Sequence, residues 1–138
     1  VIVASRNQEG LTRSIDTWCR AGLDVYAELL DLSSTDSIQG LNKRVADRYG
    51  GVDFLVNNAV ARLLKDWTGP AEAFEQSMCV NATALFEMTR IFAERMKDRG
   101  RGSIINVGSI PGMVRPDFAL YDGPSMSALP DYLSTKVA

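Results

Sequence analysis

Val52-Asp53-Phe54-Leu55-Val56-Asn57-Asn58-Ala59 is the stretch on which the fold turns. Val52 to Val56 reads as a strand, and the run stops abruptly in polar Asn57-Asn58. Immediately upstream, Gly50-Gly51 ends a helix whose apolar positions are Ile38, Leu41, Val45 and Tyr49, with Ser33 or Ser34 as its cap. Before that, Val25 to Leu30 is a second strand running into Asp31-Leu32-Ser33-Ser34. Leu11, Ile15, Trp18 and Cys19 recur at helical spacing in a helix that Gly22 closes. Val1-Ile2-Val3-Ala4 is a further β-rich run, stopping at Ser5-Arg6-Asn7. Its lack of polar alternation predicts a strand buried on both faces.

Downstream, a loop with Gly69-Pro70 leads into a helical stretch from about Ala71 to Asp98. Leu85, Met88, Phe92 and Met96 share one of its faces, and Phe86 and Ala93 another. Gly100 and Gly102 precede a fourth strand, Ile104 to Val107. Ser109 to Pro130 reads as a loop, and a new helix begins at about Asp131. Strands alternating with helices across short connections predict an α/β parallel sheet covered by helices. Ligands on such sheets bind beyond the carboxyl ends of the strands, where Arg6, Asp31, Asn58 and Ser109 all fall. With no internal repeat and no linker, residues 1–138 read as one unit.

Composition narrows the chemistry. The 138 residues are 46% hydrophobic and 23% charged, with a net charge of −2, which gives no electrostatic reason to expect nucleic acid or an anionic membrane. There is no histidine, so Ser-His-Asp and Cys-His nucleophile systems and His-liganded zinc are excluded. Cys19 and Cys79 are too few for a Cys-only metal site, and no metal is expected. No apolar run approaches membrane-spanning length and no signal-peptide pattern is present, so a reducing, cytoplasmic setting is expected. Chemistry must come from Ser, Tyr, Lys, Asp or Glu, or from a cofactor.

Tyr132-Leu133-Ser134-Thr135-Lys136 places a phenol and an ammonium on one helical face, where the cation favours the phenolate and so assists proton transfer. Taken alone, the pair also reads as a half-exposed helix face. Ser109, directly after the fourth strand, can hydrogen-bond a carbonyl or developing alkoxide, or act as a turn or capping serine. Asn81 is a poor helix-interior residue. It reads either as surface decoration or as the mark of a kink whose freed carbonyl holds water.

Taken together, Val56-Asn57-Asn58-Ala59, Val80-Asn81-Ala82, Ile105-Asn106-Val107-Gly108-Ser109 and Tyr132-x-x-x-Lys136 resemble the short-chain dehydrogenase/reductase family in order and in context. The resemblance covers nearly the whole chain. It implies a doubly wound, Rossmann-like, three-layer α/β/α domain that binds NAD(P), here truncated at both ends. It also implies an Asn-Ser-Tyr-Lys tetrad of Asn81, Ser109, Tyr132 and Lys136. Tyr132 would exchange a proton with the substrate oxygen and Ser109 would orient that oxygen. Lys136 would assist Tyr132 and hydrogen-bond the nicotinamide ribose, while Asn81 would support a water chain from Lys136 to solvent. Asp31 and Leu32 would meet the adenine, and Asn58 and Ala59 the adenosine ribose. Homodimers or homotetramers are the family's usual assembly, and the two-faced apolar pattern of Ala71–Asp98 is compatible with one.

Cofactor choice follows from the first strand's end. A carboxylate there would bind the ribose 2′-hydroxyl of NAD, whereas a 2′-phosphate calls for arginine. Ser5-Arg6 stands there, with no acid before Glu9, so NADP(H) is expected on Ser5 and Arg6, with NAD(H) the alternative and a solvated arginine the plain reading. The implied activity is an NADP(H)-dependent oxidoreductase interconverting a ketone, or a 3-oxoacyl group, and a secondary alcohol. The alternatives are a non-catalytic dinucleotide-binding or redox-sensing relative, or an inactive fragment.

Three features depart from the family pattern. No glycine-rich phosphate turn occurs in these residues; it would precede the first strand. Val60 follows Asn-Asn-Ala where glycine is usual, and its branched side chain is expected to crowd the cofactor or disfavour the loop conformation. The separation of Ser109 from Tyr132 is also long. Tyr121 lies nearer the family distance but has Ser125, not lysine, four residues on. The extra segment reads as an enlarged substrate loop, walled by Met113, Phe118, Leu120, Tyr121 and Met126, or as an unstructured insertion.

Overall fold

The structure, a computed structural model, describes residues 1–114 and 129–137. It comprises two compact units, Val1–Val52 and Asp53–Ala138.

In the first unit, β1 (Ile2–Ser5) pairs in parallel with β2 (Tyr26–Leu29), in the register Ile2 to Tyr26 and Ser5 to Leu29. Between them runs α1 (Gln8–Arg20), which starts where Asn7 Oδ1 accepts the Gly10 N–H at 2.9 Å. Helix α2 (Thr35–Tyr49) follows, capped by Ser34 Oγ on the Ser37 N–H at 3.2 Å. It stops at Gly50, whose φ of +72° closes the helix in the left-handed region that glycine enters without cost. Ile38, Leu41 and Val45 are buried on one side of α2, as their spacing requires. Glu28 of β2 is also buried. It is neutralised by Arg44 Nε at 2.7 Å and Arg48 Nη1 at 3.0 Å, so α2 is fastened to the sheet by charge as well as by apolar packing.

In the second unit, β3 (Phe54–Asn57) pairs in parallel with β4 (Ser103–Asn106), Phe54 opposite Ser103 and Asn57 opposite Asn106. The connection is helical. It runs through α3 (Ala71–Met78), a π-helical turn at Cys79–Thr83 and α4 (Ala84–Asp98). A single helix was expected over this stretch. The Ala84 N–H instead bonds to the Cys79 carbonyl, inserting one wide turn with Asn81 inside it. The buried face of α4 accordingly begins at Ala84 and continues through Met88, Ile91, Phe92 and Met96. Leu85 is only half-buried, and Phe86 is exposed. After β4 come a short 3-10 turn, Ile110–Gly112, and then α5 (Pro130–Val137).

The parallel α/β reading holds; β1 and β3 begin one and two residues later than their spacing predicts, β2 is shorter by one residue at each end, and β4 lies one residue earlier. Burial of the Val1–Ala4 run on both faces does not hold: Val1 is 80% exposed and Ala4 is also exposed. Among the described residues each sheet has two strands. Phe118, Leu120, Tyr121, Ser125 and Met126 of the expected substrate loop lie outside the described residues; Met113 lies within them and is exposed.

Candidate active site

Beyond the carboxyl end of β4, Ser109 occupies extended backbone (φ −152°) just before the 3-10 turn. Its hydroxyl meets α5. Tyr132 Oη donates to Ser109 Oγ at 2.8 Å, and one turn further on Lys136 Nζ donates to the Val107 carbonyl at 2.6 Å. Phenol, hydroxyl and ammonium therefore converge on the same strand end. The helical spacing of Tyr132 and Lys136 does this directly, because residues four apart share a face. Gly112 makes the approach possible. A Cβ there would collide with the Lys136 backbone carbonyl oxygen.

Asn81 reaches this cluster indirectly. Its Oδ1 accepts the Ala61 N–H at 2.7 Å, and its Nδ2 donates to the Ala61 carbonyl at 2.8 Å and to Thr135 Oγ1 at 3.3 Å. The side chain thus ties the loop after β3 to α5 at a residue between Tyr132 and Lys136. The kink reading of Asn81 fits the wide turn it occupies, and surface decoration does not, since the residue is buried.

Several residues of this site carried no signal in the sequence. Asp131 is fully buried, and its Oδ2 accepts from Ser77 Oγ at 2.6 Å, Leu63 N at 2.8 Å and Leu64 N at 3.2 Å, while Oδ1 accepts from Tyr132 N at 2.9 Å. Burial pushes this carboxyl up, but the hydrogen bonds from Ser77, Leu64, Leu63 and Tyr132 together outweigh it and hold it below the ordinary 3.8. Thr135 and Arg62 were also missed. The Arg62 guanidinium carbon lies 4.4 Å from the centroid of the Tyr132 ring. Asp131 looked like an ordinary acidic residue in a helix's first turn, and only its position beside Tyr132 hinted otherwise.

Asn58, Ala59 and Val60 follow β3 and are exposed. Val60 has no positive φ, so its branched side chain imposes no backbone strain where glycine was expected. In the first unit, Ser5 ends β1, and Arg6 is exposed after it. Asp31 Oδ1 accepts from Ser33 N at 2.9 Å and Ser33 Oγ at 2.6 Å. These bonds, with a smaller contribution from the Arg6 charge, hold the Asp31 carboxyl below its usual value. Leu32 beside it is half-buried. Among the described residues no group of three His, Cys, Asp or Glu is placed to hold a metal, and no helix is long and apolar enough to cross a membrane.

A family model described as short chain dehydrogenase matches residues 1–123. The chain belongs to the short-chain dehydrogenase family. The matched residues include Asn81 and Ser109 and end before Tyr132 and Lys136. An uncharacterized oxidoreductase of Thermotoga maritima is 34% identical over 110 residues, 79% of this chain and 43% of that protein. A ketoacyl reductase of a Nostoc species is 31% identical over 113 residues, 81% of this chain and 39% of that protein. A crystal structure of an actinorhodin polyketide ketoreductase variant with NADPH superimposes with a TM-score of 0.82 at 27% identity, over 99% of this chain and 50% of that one. This short-chain dehydrogenase chain thus has the family's Rossmann-type α/β fold. It spans less than half the length of these curated relatives.

Proposed function

We propose that this chain carries the proton-transfer site of an NADP(H)-dependent oxidoreductase that interconverts a ketone, or a 3-oxoacyl group, and a secondary alcohol. The observation that carries the reading is the 2.8 Å bond from Tyr132 Oη to Ser109 Oγ, with Lys136 one helical turn away. In the reductive direction Tyr132 Oη gives its proton to the substrate oxygen, and Ser109 Oγ donates a hydrogen bond that orients and stabilises it. Bound nicotinamide supplies the hydride. Lys136, held by the Val107 carbonyl, keeps two further N–H donors, which suit the nicotinamide ribose. Asn81, bonded to Thr135 beside both residues, keeps α5 in register with the loop after β3.

The nicotinamide dinucleotide is supported by the ketoreductase structure with NADPH. Preference for NADP(H) rests on exposed Arg6 with Ser5 beside it, a cation and a hydroxyl suited to a 2′-phosphate. Asp31 and Leu32 would meet the adenine, and Asn58 and Ala59 the adenosine ribose. A reducing, cytoplasmic setting is supported by the unpaired thiols of Cys19 and Cys79. Exposed Phe86, on the side of α4 away from its buried face, supports assembly as a homodimer or homotetramer.

The test is Tyr132→Phe in the full protein, assayed as NADPH consumption with a panel of ketones and 3-oxoacyl thioesters. Loss of turnover by roughly 10²-fold or more is expected. Unchanged turnover removes Tyr132 as the acid.

A further inference from the structure

Arg62 lies between two anchored neighbours. On one side, Ala61 is held through its N–H and its carbonyl by Asn81, at 2.7 and 2.8 Å. On the other, the N–H groups of Leu63 and Leu64 are held by buried Asp131, with Ser77 Oγ also accepting from Leu63 at 3.3 Å. The backbone at Arg62 is therefore fixed by the same helices that carry Tyr132 and the wide turn. Its guanidinium is laid on the Tyr132 ring, 4.4 Å from the centroid.

Among the described residues this cation, unlike several other arginines, pairs with no carboxylate. Arg44 and Arg48 neutralise Glu28, Arg90 pairs with Glu87, and Arg99 and Arg101 pair with Asp53. Arg62 itself is exposed. A guanidinium presents its N–H donors as a planar fork, which suits a planar, bidentate anion. The ring on which it lies carries the proposed acid. A substrate whose oxygen bonds to Tyr132 Oη thus has beside it a cation that no carboxylate among the described residues neutralises.

Resting on the Tyr132 reading above, we propose that Arg62 selects oxo acids: substrates with a free carboxylate one or two carbons from the reacting carbonyl, or the matching hydroxy acids in oxidation. The carboxylate takes the Arg62 fork while the carbonyl oxygen takes Tyr132 Oη and Ser109 Oγ. Two-point fixing of this kind orients the carbonyl as well as binding it. A phosphate of the dinucleotide has the same chemistry, and the experiment separates the two sources.

The experiment compares 3-oxobutanoate with its neutral methyl ester, in the full protein with NADPH. The acid-to-ester ratio of kcat/KM is expected to favour the acid in the native protein and to fall by roughly 10- to 100-fold in Arg62→Gln, with Arg62→Lys between them. A ratio that is the same in native protein and Arg62→Gln, with the ester still reduced in a Tyr132-dependent way, overturns the proposal and leaves the Tyr132 reading standing. Weakened NADPH binding in Arg62→Gln with the ratio kept also overturns it, assigning the guanidinium to the dinucleotide. Turnover of neither compound, while another ketone is reduced in a Tyr132-dependent way, overturns the proposal and leaves the Tyr132 reading standing; Tyr132-independent turnover of every ketone tried removes both.

Discussion

Ser77 Oγ donates a 2.6 Å hydrogen bond to Asp131 Oδ2 across 54 positions of chain, and both side chains are fully buried. The pair joins α3 to the first turn of α5 immediately before Tyr132. Three backbone N–H groups complete the carboxylate's shell, so a buried charge is satisfied without a cation.

Replacing Asp131 removes the acceptor of Ser77 Oγ and of the Leu64 and Tyr132 N–H groups, and leaves Leu63 N–H only its 3.3 Å bond to Ser77 Oγ. Asp131→Ala is expected to destabilise the full protein by about 2–4 kcal/mol, and Ser77→Ala by about 1–2 kcal/mol. Urea unfolding monitored by circular dichroism measures both. A loss under about 0.5 kcal/mol for Asp131→Ala contradicts the clamp.

The same carboxylate gives a pH dependence. Its folded-state value lies below the ordinary 3.8, so the ionised form is bound more tightly in the native state than in the unfolded chain. Its stabilisation is complete above the unfolded value and is lost as pH falls through the folded one. Thermal midpoints of the native protein should drop from about pH 5 downwards. In Asp131→Asn that slope should be shallower, on a lower plateau; an equal slope removes Asp131 as a contributor.

Ser109→Ala is expected to lower kcat by roughly 10- to 10³-fold while changing KM less, because its bond strengthens as charge develops on the substrate oxygen. The Ser109→Ala/Tyr132→Phe double variant should be little worse than Tyr132→Phe alone, since both act on one oxygen. Steady-state kinetics of the three variants decides it, and fully additive losses separate the two residues.

Arg6→Asp is expected to raise KM for NADPH by roughly 10- to 100-fold and to improve the use of NADH, since the carboxylate repels the 2′-phosphate and accepts the 2′-hydroxyl. Comparable activity of the native protein with both dinucleotides removes the preference at the outset.

Gly112→Ala tests the approach of the 3-10 turn to α5. The added methyl meets the Lys136 carbonyl oxygen, which belongs to a helix backbone and has little room to yield. A destabilisation of about 1–3 kcal/mol is expected, together with lower turnover from displacement of Tyr132 and Lys136. Native-like stability and kcat in this variant rule out the close approach.

Much of this protein is written locally. Asn7 and Ser34 cap the helices they precede, Gly50 stops α2, and the spacing of Ile38, Leu41 and Val45 marks its buried face. These features need only neighbours within a turn or two, so the residues alone decide them. The Tyr132–Lys136 pair is legible for the same reason, and Ser109 was found because it directly follows a strand. Strand limits were less legible, since pairing with a distant segment decides which residues join the ladder.

What only the tertiary structure decided lies at long separations. Asp131 meets Leu63 across 68 residues, Asn81 meets Thr135 across 54, and Arg62 comes to lie on the Tyr132 ring. No periodicity encodes such contacts, because each side chain's partner is chosen by how helices and loops pack after they form. The sequence by itself determined that Tyr132 and Lys136 share one helical face and that Ser109 follows a strand end. Packing decided which carboxylate and which arginine stand beside them, because burial and charge pairing depend on the whole chain being folded around them.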